Sequence, residues 1–130
     1  MDKKLTKINT YFTNKKNKLY RDIEAWNAEE KDATIWHQLY YLKSRFERKV
    51  RAMLLYTQYE RILTIVNEKN GDDAIKYLKN VAQFYEYGLL ECSLMQSSSC
   101  PITNITSLWE QESKQIVLRE IKKLLNTLGE

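Results

Sequence analysis

The sequence contains very few residues that interrupt regular secondary structure, with one proline and three glycines among 130 residues. β-Proteins need a turn every few residues, and turns draw on glycine and proline. A hydrophobic fraction of 43% argues against a chain that stays disordered throughout. The length is that of one domain and is enough to bury a core without disulfides or metals. We therefore expect an all-α protein.

Apolar residues recur every three or four positions along most of the chain, which is the spacing of an amphipathic helix. We expect a bundle of about four main helices, with mostly antiparallel neighbours because the connections are short. The second helix is the longest, and the middle of its regular apolar stripe is Phe46, which we expect in the core. The predicted helices lie near residues 18–28, 33–68, 73–96 and 107–127.

Candidate capping residues precede three of these helices. Asp32 is the expected cap of the second helix, and either Asp72 or Asp73 that of the third. Ser107 followed by Glu110 has the spacing of a capping box, in which each side chain satisfies the exposed backbone N–H of the other residue. The fourth helix is therefore expected to begin near Ser107.

Positive charge is concentrated at the N-terminus. Residues 1–18 carry six lysines and one aspartate, a local balance of +5, whereas the other residues carry 15 basic and 16 acidic side chains. We therefore divide the chain into a basic arm, 1–17, and a helical domain, 18–130. A basic arm suggests an acidic partner or nearby nucleic acid, and the alternative is a solubilising tail.

Four apolar side chains lie between the lysines of this arm: Leu5, Ile8, Tyr11 and Phe12. Ile8 and Tyr11 are three residues apart, so one helical turn places them on the same side. Tyr11 and Phe12 then point outward as two aromatic anchors. Such a segment buries little apolar surface against itself and suits an apolar pocket with an acidic rim on a partner. The alternatives are an N-terminal helix that docks on the body of the protein, or a dimer contact.

The spacing Ile8-x-x-Tyr11-Phe12 in a basic tail resembles the PCNA-interacting peptide, or PIP box, of replication and repair proteins. In that family an aliphatic residue and two aromatic residues fill a pocket of the sliding clamp. The resemblance implies that Ile8 takes the aliphatic place and that Tyr11 and Phe12 take the aromatic places. Leu5 stands where the family usually has glutamine. The resemblance covers about eight residues and implies nothing about the helical body.

A second basic feature lies within the long helix. Arg45, Arg48 and Lys49 share one face, because residues three and four apart are neighbours on a helix. Such a stripe is a candidate for contact with the phosphates of nucleic acid. The alternative is a solvated face or ion pairs with acidic residues of a neighbouring helix. The candidate phosphate-contacting residues are Lys43, Arg45, Arg48, Lys49 and Arg51.

No pattern of catalytic residues is visible. The single histidine, His37, and the two cysteines, Cys92 and Cys100, do not have the spacing of a zinc site. The three glycines are isolated, so there is no glycine-rich phosphate loop. No serine or cysteine lies in a nucleophile motif. We expect no catalytic residues, no bound metal and no cofactor.

Two further patterns bear on location. The N-terminal residues lack the apolar segment of a signal peptide. No apolar run approaches the roughly 20 residues needed to span a bilayer. We expect an intracellular protein of the cytoplasm or nucleus that is not secreted and has no membrane partner.

These features favour a non-enzymatic accessory factor of DNA replication or repair. Its arm would bind a sliding clamp, and its helical body would bind another replication or repair subunit. The alternative is a helical protein–protein interaction module, such as a regulator or a viral or phage-type inhibitor, unrelated to the clamp. A third hypothesis is a direct nucleic-acid binder that uses the basic helix face. A mobile arm would favour clamp binding, and a packed arm would favour the interaction module.

Overall fold

The computed structural model describes residues 2–92 and 100–130, with side chains for 2–88 and 100–130. Within these residues the secondary structure consists of four α-helices without a strand, so the predicted all-α bundle is confirmed. The boundaries differ from those expected. The helices are α1 (Lys3–Lys31), α2 (Ile35–Val66), α3 (Gly71–Cys92) and α4 (Pro101–Thr127).

Helix α1 includes most of the segment that we expected to be an arm. It continues without interruption through residues 17 and 18, so the structure has no boundary there. The side chain of Asp2 caps its start by accepting hydrogen bonds from the backbone N–H groups of Lys4 and Leu5, at 3.0 and 3.3 Å. The N-terminal segment is thus part of the bundle, because its apolar side chains are buried on one face of this helix.

The caps of α2 and α3 are not the predicted aspartates. Thr34 caps α2, where its hydroxyl accepts a hydrogen bond of 3.3 Å from the backbone N–H of His37. Asn70 caps α3, where its side-chain oxygen accepts a hydrogen bond of 2.8 Å from the backbone N–H of Asp73. Threonine and asparagine are also favoured at the position that caps a helix start. Residue type alone therefore does not decide which of the neighbouring residues is the cap.

Helix α4 begins six residues before the predicted start. Pro101 occupies its first turn, where the missing N–H of proline is harmless, and Ser107 lies inside the helix. The proposed capping box of Ser107 and Glu110 is therefore wrong. The predicted end of the third helix, residues 93–96, lies outside the described residues.

One hydrophobic core holds the bundle together. Its largest fully buried side chains include Ile8 and Phe12 from α1 and Ile62 from α2. Phe12 contacts Tyr59, with 5.9 Å between the ring centroids. The buried core residues are Ile8, Phe12, Tyr59, Ile62, Leu63, Val66, Ala74, Ile75, Leu78, Ala82, Tyr85, Val117, Ile121, Leu124 and Leu125.

Ion pairs and hydrogen bonds give the helix directions. Helix α1 runs antiparallel to α2, since Phe12 lies beside Tyr59 and Glu29 beside Arg45. Helix α3 runs antiparallel to α4, with Lys79 paired to Glu130 and Glu86 paired to Lys122. Helix α2 runs parallel to α4, since Arg51 pairs with Glu112 and Tyr59 with Glu120, both 61 residues apart.

These registers divide the molecule into two halves. The closed half, residues 2–16, 55–88 and 113–130, contains all four helices and every residue of this core cluster, whereas the buried Ala52 and Trp109 lie outside it. The open half, residues 17–54 and 101–112, contains only α1, α2 and α4 among the described residues. The register of α3 on α4 explains this, because it brings the last residue of α3 level with about residue 116.

Candidate functional site

An apolar stripe along the first half of α2 is exposed. Its members, which we call the α2 stripe, are Ile35, Leu39, Leu42, Phe46 and Met53. Their side chains are 86, 43, 61, 41 and 54% exposed. They follow one another at intervals of four, three, four and seven residues, the spacing of a coiled-coil seam. Isolated exposed apolar residues are ordinary, but a row about 27 Å long is a candidate interaction surface.

The expectation that Phe46 lies in the core is therefore wrong. Its ring contacts the buried Trp109 of α4, with 5.7 Å between the centroids, but 41% of the residue remains exposed. The reason is that α2 carries two apolar stripes. At about 100° per residue, the buried members of its second half lie about 140° around the helix axis from the α2 stripe. Those buried members are Tyr59, Ile62, Leu63 and Val66, and the second half also buries Ala52 and Gln58.

A groove lies beside the α2 stripe, between the last turns of α1 and residues 38–53 of α2. Its volume is about 560 Å³. Leu42, Phe46, Val50 and Met53 form its apolar floor. Its rim is polar, so a ligand would meet apolar surface in the middle and hydrogen-bonding groups at the edges. The rim consists of Asn27, Glu30, Lys31, Gln38 and Lys49.

Ion pairs fix the rim on the α1 side. Lys49 Nζ lies 2.6 Å from Glu30 and donates a further hydrogen bond of 3.0 Å to Asn27. Arg45 lies 2.5 Å from Glu29 and 3.6 Å from Glu30. The hydrogen bond that the Arg45 guanidinium donates to Glu29 raises the pKa of Arg45 above its usual value. The two acidic residues are thus neutralised, and α1 is held against α2.

Positive charge remains at the groove. Lys31 lines the groove, and Lys43 follows Leu42 in sequence; neither has a carboxylate within salt-bridge distance among the described side chains of residues 2–88 and 100–130. Glu30, the acidic residue of the rim, is shared by Arg45 and Lys49. The edge of the groove therefore attracts negatively charged groups.

The predicted phosphate-contacting residues do not form one free basic stripe. Arg45 and Lys49 pair with Glu29 and Glu30, as described. Arg51 pairs with Glu47 at 3.0 Å and with Glu112 of α4, which raises the pKa of its guanidinium. Arg48 lies over the Trp26 ring, 5.9 Å from its centroid, and Lys43 is exposed. Ion pairing with neighbouring helices, the alternative that we weighed, therefore describes three of the five residues.

The predicted clamp-binding residues lie mostly inside the protein. Ile8 and Phe12 are fully buried, and Leu5 and Tyr11 are partly buried against the same core. The Tyr11 ring packs edge-on against Phe12, with 5.2 Å between centroids. Lys15 lies over the Tyr11 ring and pairs with Glu120 at 3.5 Å. Sequence spacing had suggested outward-pointing anchors because it does not show which neighbouring helices cover them.

The described residues contain no group of three or more histidine, cysteine or acidic side chains close enough to hold a metal ion. His37 lies near the start of α2, with its ring Nδ1 3.1 Å from the Thr34 hydroxyl. Among the helices that the structure describes, none combines the length and the apolar composition required to cross a membrane. The absence of catalysis and of cofactors stays a prediction.

Sequence reasoning missed the groove, although one signal of it is present. The apolar positions of α2 change phase between Met53 and Tyr59, and a straight helix with such a change has two different apolar faces. Comparison with known proteins adds no assignment: no family model matches the chain, and no curated protein or solved structure matches it.

Proposed function

We propose that this protein is a non-enzymatic helical protein–protein interaction module that receives an amphipathic helix of a partner in the groove beside the α2 stripe. The observation that carries the proposal is the exposure of this stripe at coiled-coil spacing. Helices with apolar residues at such intervals dock in grooves of this kind. The partner helix would cover apolar side chains of the open half, as α3 covers those of the closed half.

Charge indicates what kind of helix fits. Lys31 lines the groove and Lys43 follows Leu42 of the stripe in sequence; neither has a carboxylate partner among the described side chains, and Glu30 is already neutralised. A helix with acidic residues beside its apolar stripe would pair with these lysines. A second copy of the α2 stripe is disfavoured, because it would bring the lysines and arginines of two copies together.

The packed N-terminal segment supports this proposal over clamp binding. Insertion of Ile8, Tyr11 and Phe12 into a clamp would require two fully buried side chains to leave the core. The groove needs no such rearrangement. A regulatory or inhibitory subunit is the role that suits this architecture, since the groove offers binding surface and no catalytic group is required.

The proposal can be tested with two synthetic helical peptides that share one leucine stripe at i, i+3, i+4 and i+7. One peptide carries glutamates beside the stripe and the other carries lysines. We expect the glutamate peptide to bind and to shift the NMR signals of groove residues and of the Trp109 indole, which contacts Phe46. The lysine peptide should bind at least about tenfold more weakly, since like charges would meet.

Matched substitutions locate the binding site. Leu42→Gln changes a groove residue that is 61% exposed, and Phe84→Gln changes an α3 residue that is 69% exposed. Leu42→Gln should weaken peptide binding about tenfold, the order expected for an anchor residue, and Phe84→Gln should not. Equal effects of both variants, or binding without shifts at the groove, would contradict the proposal. So would a stable dimer in sedimentation that Leu42→Gln dissociates.

A further inference from the structure

A second surface, on the opposite side of α1 from the core, is strongly basic. Its residues, which we call the outer face of α1, are Lys3, Lys7, Thr10, Asn14, Asn17, Lys18 and Arg21, and all seven are exposed. Counted at 100° per residue, they lie within about 100° of arc. Ile8 and Phe12 lie on the other side of the helix and hold it against the core.

The cations of this face have no ion-pair partners among the side chains that the structure describes. Lys4 pairs with Glu130 and Asp72, and Lys15 pairs with Glu120, but these residues lie towards the bundle. In the part of the chain that the structure describes, Lys3, Lys7, Lys18 and Arg21 have no carboxylate within salt-bridge distance. This distinguishes them from Arg45, Lys49 and Arg51 of α2, which have acidic partners.

We infer that the outer face of α1 is a sequence-neutral binding surface for the phosphate backbone of duplex nucleic acid. The face consists of four cations, two amides and one hydroxyl. Each of these seven side chains can donate hydrogen bonds to phosphate and sugar oxygens. From Lys3 to Arg21 the helix is about 27 Å long, or about eight base-pair steps of 3.4 Å. The inference is independent of the groove, which lies along another face of the molecule.

The composition of the face argues against two other polyanions. A helix that lies on a membrane has large apolar residues beside its cations, and the outer face of α1 has none. Proteins that hold single strands stack bases on aromatic side chains, which the face also lacks. A row of cations and amides along one helix therefore matches a rigid duplex better than a membrane or a single strand.

The test is binding of the full chain to a fluorescein-labelled 24-base-pair DNA duplex of scrambled sequence, followed by anisotropy as the salt concentration rises. Four phosphate contacts predict a slope of about −3.6 in log affinity against log salt, or about a 150-fold loss between 50 and 200 mM. Lys7→Gln/Lys18→Gln should halve the slope, leaving a loss of about 12-fold. A second scrambled duplex should bind equally well.

The control is Lys76→Gln/Lys123→Gln, which removes the same charge from exposed lysines of α3 and α4. It should keep the full slope. If it lowers the slope as much as Lys7→Gln/Lys18→Gln does, net charge alone explains binding and the inference is wrong. The inference is also wrong if the wild type does not bind at 50 mM salt. Equal competition by polyglutamate or by anionic vesicles of the same charge would reassign the face to acidic protein or lipid.

Discussion

The carboxylate of Asp2 joins the starts of two helices, because it caps α1 and also accepts a hydrogen bond of 2.6 Å from the backbone N–H of Gly71, the first residue of α3. The partial positive charges of two helix N-termini meet at this side chain. The link connects residues 69 positions apart and ties the N-terminal segment to the bundle.

The close approach of Asp2 requires glycine at position 71. A β-carbon added there would overlap the carboxylate, 2.7 Å from its Cγ. We expect Gly71→Ala to destabilise the wild type by about 1 kcal/mol, since the hydrogen bond from residue 71 would be lost. In an Asp2→Ala background the same change should be neutral or stabilising, because alanine is the better helix former. Denaturant unfolding of the four proteins gives the coupling, and additive effects would disprove the contact.

The same carboxylate predicts a dependence of stability on pH. The hydrogen bond from Gly71, followed by that from Leu5, lowers the pKa of Asp2 below its usual value of about 4. A lowered pKa stabilises the fold above the unfolded-state value, and the contribution is lost as the pH falls through the folded-state value. Wild type should therefore melt at a higher temperature than Asp2→Asn at neutral pH. The difference in Tm should shrink below about pH 4, and a constant difference would contradict the assignment.

Phe12 should behave as a core residue. It is fully buried between Tyr11 and Tyr59, so Phe12→Ala should lower the free energy of unfolding by about 3–5 kcal/mol. If Tyr11 and Phe12 instead projected outward as clamp anchors, their replacement by alanine would leave the melting temperature unchanged. Urea unfolding followed by circular dichroism measures the effect. A loss below about 1 kcal/mol would mean that α1 detaches easily and would restore the clamp hypothesis.

Phe46→Ala should be much milder for stability. Because Phe46 is 41% exposed and contacts mainly Trp109, we expect a loss of about 1–2 kcal/mol, smaller than that of Phe12→Ala. The 3–5 kcal/mol of a core aromatic would apply only if the α2 stripe were buried. The two variants should be unfolded under the same conditions. If Phe46→Ala loses as much free energy of unfolding as Phe12→Ala, or more, the α2 stripe is covered in solution.

Helix existence could be predicted from the sequence because the signal is local. The scarcity of proline and glycine and the recurrence of apolar residues led to four helices in the right order, with four ends misplaced by two or three residues and the end of α4 at residue 127 correct. The starts of α1 and α4 differ more from the prediction. α1 begins at Lys3 because Asp2 caps it and Ile8 and Phe12 find a core, and α4 begins at Pro101 because proline suits a first turn.

The local sequence pattern is sufficient to predict that α2 is one long helix with apolar positions along its length. Which of those positions are buried depends on how the helices pack together. Ile62 and Val66 lie where four helices meet and are covered, whereas Leu42 and Met53 lie beyond the end of α3 and are exposed. The same rule placed Phe12 inside and Lys7 outside. Helix formation depends on neighbours along the chain, but burial depends on which distant segments pack against each face.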